Sequence, residues 1–305
     1  MLANNPKSVI LAFAATSLFL VSLSARAELY VTIVQGLGGE PTFEENFQTQ
    51  SQTIVEASAS LTDADKVTLF DGEDATRENL LAHFESQSAV MTENDRSAIY
   101  LIGHGSFDGE EYKFNIPGLD ITTDDILNIM QSFPGQNHFL LNTSSTSGAL
   151  LEPLEDESRI LVTATRSGNE KNATVFGEYF AQALSSEDAD LNKNNNISIE
   201  EAFGYAQRQV EEYFESQGQL ATEHPEIIGN GAAQFTLARI NPIVISDENP
   251  RIAELQEQTL DIDRQIENLQ LQRSELSNQE YIEQLQALIL QSARINEEID
   301  QLTGE

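Results

Sequence analysis

The sequence predicts an α/β fold: a three-layer α/β/α sandwich around a mostly parallel sheet, extended by a C-terminal α-helical hairpin or coiled coil. Two observations predict it. From Leu29 to about residue 240, short runs rich in Val, Ile and Leu alternate with helical patterns, as strands buried on both faces require. From Arg251 the chain loses glycine and proline until Gly304 and becomes rich in Glu, Gln, Leu and Ile.

The chain opens with a targeting segment. Lys7 is the only charge before an apolar core, VILAFAATSLFLVSL (9–23), and Ala25-Arg26-Ala27 matches the small-x-small cleavage pattern. Residues 1–27 therefore read as a signal peptide, with a mature chain beginning at Glu28. Such a chain is exported, periplasmic or secreted, with no membrane span after signal cleavage. No cysteine follows, which excludes a lipoprotein anchor.

LYVTIVQGLGG (29–39) reads as a strand entering a glycine turn, and TFEENFQTQSQTIVEASAS (42–60) as a helix with Phe43, Phe47, Ile54 and Ala57 at helical spacing. KVTLFDG (66–72) is a second strand and TRENLLAHFESQSAV (76–90) a second helix. SAIYLIGHG (97–105) is a third strand and TTDDILNIMQSF (122–133) a third helix. HFLLNTS (138–144) and RILVTAT (159–165) are further strands, and residues 173–186 and 198–218 are helices. These elements make one α/β domain over residues 28–245.

Residues 246–305 form the extension. Leu255, Thr259, Ile262, Ile266, Leu269, Arg273 and Leu276 keep alternating spacings of four and three, as do Tyr281, Leu285, Leu288, Ser292, Ile295, Ile299 and Leu302. Asn249-Pro250 caps the first helix, and a Ser277/Glu280 capping box starts the second.

Composition narrows the function. There are 50 acidic against 16 basic residues, and removing Lys7 and Arg26 takes the formal net charge from −34 to −36. That field repels nucleic acid and anionic lipid and favours cations. The absence of cysteine rules out disulfides, thiolate metal sites and a cysteine nucleophile.

In open α/β folds, ligands sit beyond the carboxyl ends of the strands. His104, between two glycines in AIYLIGHGSFDG, and the hydroxyl cluster in LLNTSSTSGALLEP both occupy such ends. Ser144, Ser145 and Ser147 are candidate nucleophiles, and His104 is the one candidate base at a matching position. There is no G-x-S-x-G elbow.

The order of strand-His-Gly followed by strand-small nucleophile-x-Ser-Gly resembles the caspase-like cysteine peptidase clan, most closely its legumain-like, C13-type branch. ILVTATRSGNEKNATVFGEYFAQAL (160–184) and TEHPEIIGNG (222–231) are similar to segments of exported bacterial relatives. The resemblance spans about residues 29–240. It implies that the catalytic histidine falls on His104 and that the catalytic cysteine falls on Ser145, in Ser145-Thr146-Ser147-Gly148. Serine is a poor substitute in a site built for thiolate, because it must lose its proton during attack. A degenerate site is therefore expected, a pseudo-peptidase. An adapted serine hydrolase would need close His104–Ser145 contact and an orienting acid, for which Asp108 is the nominee.

DLNKNNNISIEE (190–201) places Asp190, Asn192, Asn194, Asn196, Ser198 and Glu201 at positions 1, 3, 5, 7, 9 and 12 of an EF-hand-type calcium loop. Asn195 stands where glycine is usual and is the best other residue for a left-handed turn. The expected cofactor is Ca2+. Three weaker features remain: GLGGEP (36–41) as a tight turn, Arg166 as a carboxylate contact or a salt bridge, and His224 as a loop residue.

The functional expectation is a non-catalytic peptidase homologue that binds protein or peptide in a calcium-supported fold. The alternatives are a calcium-dependent hydrolase using Ser145 and His104, and an assembly module that self-associates through residues 251–305.

Overall fold

The computed structural model describes residues 27–240, 249–274 and 276–303. The signal segment to Arg26 and the domain boundary at residue 245 lie outside the described residues.

The elements in chain order are β1 (Leu29–Gln35), α1 (Pro41–Ser58), β2 (Val67–Phe70), α2 (Arg77–Val90), β3 (Arg96–Ile102), β4 (Gly105–Phe107), β5 (Tyr112–Phe114), β6 (Ile121–Thr122) and α3 (Thr123–Ser132). Then come β7 (His138–Asn142), α4 (Leu151–Leu154), β8 (Arg159–Thr163), α5 (Phe176–Ala183), β9 (Asn196–Ser198), α6 (Ile199–Ser216), β10 (Glu226–Ile228), β11 (Thr236–Arg239), α7 (Pro250–Leu271) and α8 (Asn278–Thr303).

Six strands form the central sheet in the order β10-β8-β7-β3-β1-β2, with every pair parallel except the β10 edge. Strand alternation divides the apolar side chains between two layers. In β3, Ala98, Tyr100 and Ile102 enter the core formed with α1, α5 and α6, beside Ile54, Phe180 and Val210. Ile99 and Leu101 enter the opposite core, beside Leu80 and Phe84 of α2 and Ile126 and Met130 of α3. Burying each large apolar side chain contributes about 1.5–3 kcal/mol. This is the expected α/β/α sandwich.

Capping side chains set the helix starts. Thr76 accepts from Asn79 N before α2, and reciprocal boxes Thr122/Asp125 and Ser198/Glu201 start α3 and α6. Three features depart from the sequence reading: the small antiparallel sheet β4-β5-β6, the β9–β11 pair, and β10 as an antiparallel edge. Strands of two to four residues are too short for their period to show in a sequence.

The extension is a helical hairpin. The Asn249 side chain accepts from Arg251 N and Ile252 N, and Ser277 and Glu280 make the expected box before α8. Leu255 and Ile262 of α7 pack with Ile295 of α8, and Arg251 pairs with Glu298 at 2.7 Å, so the helices run antiparallel.

Candidate functional site

The carboxyl ends of β3, β7 and β8 are neighbours and carry the three segments that the sequence singled out. Beyond β3, His104 is half-buried between Phe43 and Phe47, with ring centroids 4.7 and 5.1 Å away. Its Nε2 lies 3.2 Å from Gly38 O. A carbonyl oxygen only accepts, so Nε2 is the donor. Gly105 is required by close approach, since a Cβ there would collide with Ser144 Oγ and Ser145 O.

Beyond β7, each candidate nucleophile has a partner other than His104. Ser145 is 7% exposed, and its Oγ donates to Gly105 O at 3.0 Å. Ser144 Oγ donates to Ser145 O and lies 2.7 Å from Tyr112 Oη. Asn142 supports that bond by donating from Nδ2 to Tyr112 Oη at 2.8 Å, while its Oδ1 accepts from Ser144 N. Ser147 Oγ lies 3.2 Å from Thr165 Oγ1 and accepts from Thr165 N. Among the described residues no hydrogen bond joins the His104 ring to a serine hydroxyl. Asp108 does not orient the ring either: it is exposed, and its Oδ1 accepts from Glu110 N and Glu111 N in the β4–β5 turn.

Thr146 follows Ser145 with φ 62 and ψ 3. A β-branched residue in the left-handed region is strained, and here the surroundings enforce it. Its nitrogen donates to Glu170 O at 2.8 Å, and Gly148 beside it lies too close to Ser167 N and Thr165 O to carry a side chain.

Beyond β8, Glu170 gathers Arg166 and His224. Its Oε1 is 3.1 Å from Arg166 Nε and 2.6 Å from His224 Nδ1, and its Oε2 accepts from the backbone nitrogens of both. Arg166 is thus in a salt bridge, and His224 is tied to a residue 54 positions away, a contact that its sequence context does not signal. Next to it, Glu223 is 2% exposed and accepts from Val175 N and Phe176 N at the start of α5. Burial pushes its carboxyl up to about 7.

The peptidase C13 family model matches residues 61–234, more than half of the sequence. The chain belongs to that family. Two solved structures resemble this C13-family chain, each 10% identical to it and each covering 72% of it. One is a Geobacter sulfurreducens protein covered over its whole length, with a TM-score of 0.48. The other is caspase-1 from Spodoptera frugiperda, covered over 93% of its length, with a TM-score of 0.44. No curated protein matches.

The C13-family region also contains the 190–201 loop. Lys193 and Asn195 both take φ 62, the left-handed conformation expected at Asn195. The Asp190 carboxylate accepts from Asn194 N and Asn195 N, and Asn194 N also donates to Asn192 Oδ1. Glu201 Oε1 accepts from Asn192 N at 3.4 Å, while Oε2 accepts from Ser198 N and Ser198 Oγ. Hydrogen bonds therefore join Asp190 to Asn194, Asn194 to Asn192, and Asn192 to Glu201. Ile197 is buried and pairs with Ala238, and Asn195 O accepts from Ile240 N, which fixes the loop on β11. Asn196 and Ser198 bound β9 at the loop's exit. One detail departs from an EF-hand: α5 ends at Ala183, several residues before Asp190, so the incoming helix does not run into the loop.

Asp190 and Glu201 are 7% and 6% exposed, and among the described residues neither pairs with a basic side chain. Among the described residues no three His, Cys, Asp or Glu are grouped to hold a metal. The loop's other oxygens come from Asn, Ser and backbone, the hard donor set that suits calcium.

Proposed function

We propose that this protein is an exported C13-family domain that binds a protein or peptide ligand without cleaving it, with a calcium ion bracing the 190–201 loop. The observation that carries this reading is the Ser145 hydroxyl. Its only proton is directed at Gly105 O rather than at His104. A serine with no base on its proton is a weak nucleophile at neutral pH. The absence of cysteine removes the alternative nucleophile that the family uses. Export is supported by the apolar segment 9–23 followed by Ala25-Arg26-Ala27. Calcium is supported by the two buried carboxylates, which among the described residues pair with no basic side chain.

The test is to expose the exported protein and its Ser145→Ala variant to a fluorophosphonate probe, and to a mixture of peptides followed by mass spectrometry. The expected result is no labelling and no cleavage by either form, with peptides retained intact on the wild type. Labelling that disappears in Ser145→Ala would sink this reading and establish the hydrolase.

The strain at Thr146 favours that hydrolase as the second reading, because enforced left-handed residues collect at working active sites. Self-association has its own support in α8, where Ile282, Ile289 and Leu290 are about half exposed. Ile289→Glu is the variant for that case, with mass in solution as the readout.

A further inference from the structure

Asp95 is a buried carboxylate that, among the described residues, pairs with no basic side chain. It is 3% exposed and closes the turn before β3. Its Oδ2 accepts from Thr92 N at 2.7 Å and from Thr92 Oγ1 at 3.0 Å. Its Oδ1 accepts from the backbone nitrogen of Glu28 at 2.7 Å. Among the described residues no Lys, Arg or His side chain pairs with Asp95, and the neighbouring Arg96 is committed to Glu267. A buried carboxylate held only by neutral donors is costly, and one positive group at the right place removes most of that cost.

The donor on Oδ1 belongs to the residue at which the sequence places the mature N-terminus. We propose that Asp95 is the receptor for the α-ammonium group that signal cleavage creates on Glu28. The proposal rests on the export reading above. Hydrolysis of the Ala27–Glu28 bond by a membrane signal peptidase consumes one water. The water oxygen bonds to the Ala27 carbonyl carbon, the C–N bond breaks, and both water protons end on the departing nitrogen at neutral pH. Ala27 leaves as a carboxylate, and Glu28 keeps an ammonium.

The nitrogen on Asp95 thus changes from a neutral amide with one proton to a cation with three. No rearrangement is needed. Arg96 N donates to Glu28 O at 2.9 Å, and Leu29 opens β1 in register with Arg96, so Glu28 is held on both sides of its α-carbon. The resulting ion pair stands one residue from Arg96, whose guanidinium reaches Glu267 in α7. The new N-terminus and the C-terminal hairpin therefore meet at the start of β3. Processing becomes part of folding: the precursor lacks an interaction that the mature chain has.

The experiment compares three forms of the mature chain: free amine at Glu28, the same chain extended by Ala27, and the chain acetylated at Glu28. Each is also made with Asp95→Asn. The free-amine form should melt about 4 °C or more above the other two, and the gap should close in Asp95→Asn. Equal melting of the three forms overturns the proposal, as does a gap that survives in Asp95→Asn. If Asp95→Asn does not fold, amine acylation supplies the second readout. The Glu28 amine should label far more slowly in the folded chain than in urea, and equal rates overturn the pairing. The intact mass of protein exported with its own leader separates the two failures. A chain that keeps its leader or is not exported removes the export reading and the proposal with it, and a mature start other than Glu28 overturns the proposal alone. A Glu28 start with no melting gap leaves the export reading standing and overturns the Asp95 pairing alone.

Discussion

Arg96 and Glu267, 171 positions apart, form a buried two-point ion pair between the first residue of β3 and the C-terminal part of α7. Arg96 Nη1 is 3.0 Å from Glu267 Oε1, Nη2 donates to Oε2 at 3.3 Å, and the guanidinium lies 5.0 Å over the Phe235 ring. Glu267 Oε1 also accepts from Thr236 N at 2.9 Å. Burial alone would push the Glu267 carboxyl up. The Arg96 charge, with the Arg96 and Thr236 hydrogen bonds, more than offsets this and holds it below the usual value. The helical extension is thus fastened to its own domain.

Breaking this pair should be expensive. Glu267→Ala leaves the Arg96 charge buried and alone, and should cost about 3–5 kcal/mol in urea unfolding. Replacing both residues, as Arg96→Met with Glu267→Leu, should recover most of that loss, because no unpaired charge remains. Equal losses in the single and double variants would show that the pair's charge is not what matters.

Ser145→Ala tests the hydroxyl as a structural group. Losing the hydrogen bond to Gly105 O should lower stability by about 1 kcal/mol. Reactivity towards serine probes should not change. A variant as stable as the wild type would place the Ser145 hydroxyl elsewhere in solution.

Calcium should raise the melting temperature of the wild type and have little effect on Glu201→Gln, which loses the bidentate carboxylate. A saturating excess of about 100 times Kd corresponds to about 2.7 kcal/mol. Melting that is indifferent to both calcium and chelator would make the loop a simple turn.

Two buried groups should shape the pH dependence in opposite senses. Burial raises the Glu223 carboxyl from 4.5 to about 7, outweighing the opposing Val175 and Phe176 N–H bonds, and the Glu170 charge adds to the rise. The folded chain therefore holds this proton more tightly than the unfolded chain does. The contribution is fully present below 4.5 and lost as pH rises through about 7, amounting to about 3 kcal/mol. Glu223→Gln should flatten the fall in melting temperature between about pH 5 and pH 8.

His138 behaves in reverse. Burial lowers its imidazole from 6.5 to about 4, while Nε2 donates to Pro134 O and Nδ1 accepts from Ser97 Oγ. Its contribution is present above 6.5 and lost as pH falls through about 4. His138→Asn should remove that acid-side loss from a melting series, and an unchanged acid limb would rule the residue out.

The strands and helices of the sandwich were legible because their apolar periods are long enough to read. HFLLNTS, RILVTAT and the two registers of the extension each stand where the pattern puts them. Capping chemistry was equally local: Asn249 accepts from Arg251 N and Ile252 N, and Ser277 and Glu280 cap each other, each within three residues. The 190–201 loop was legible for the same reason, although the early stop of α5 was not.

The layered α/β class, the missing sulfur, the acidic charge and the spacing of the 190–201 loop can all be read from neighbouring residues or from composition. The folded chain adds what no stretch of sequence shows: Ser145 donates to Gly105 O, Glu170 holds His224, Glu267 fastens the hairpin to Arg96, and Asp95 accepts from Glu28 N. These contacts join residues 40, 54, 171 and 67 positions apart. No period or propensity encodes such pairs. They follow from which strand ends the sheet order brings together, and from the need of each buried polar group for a partner.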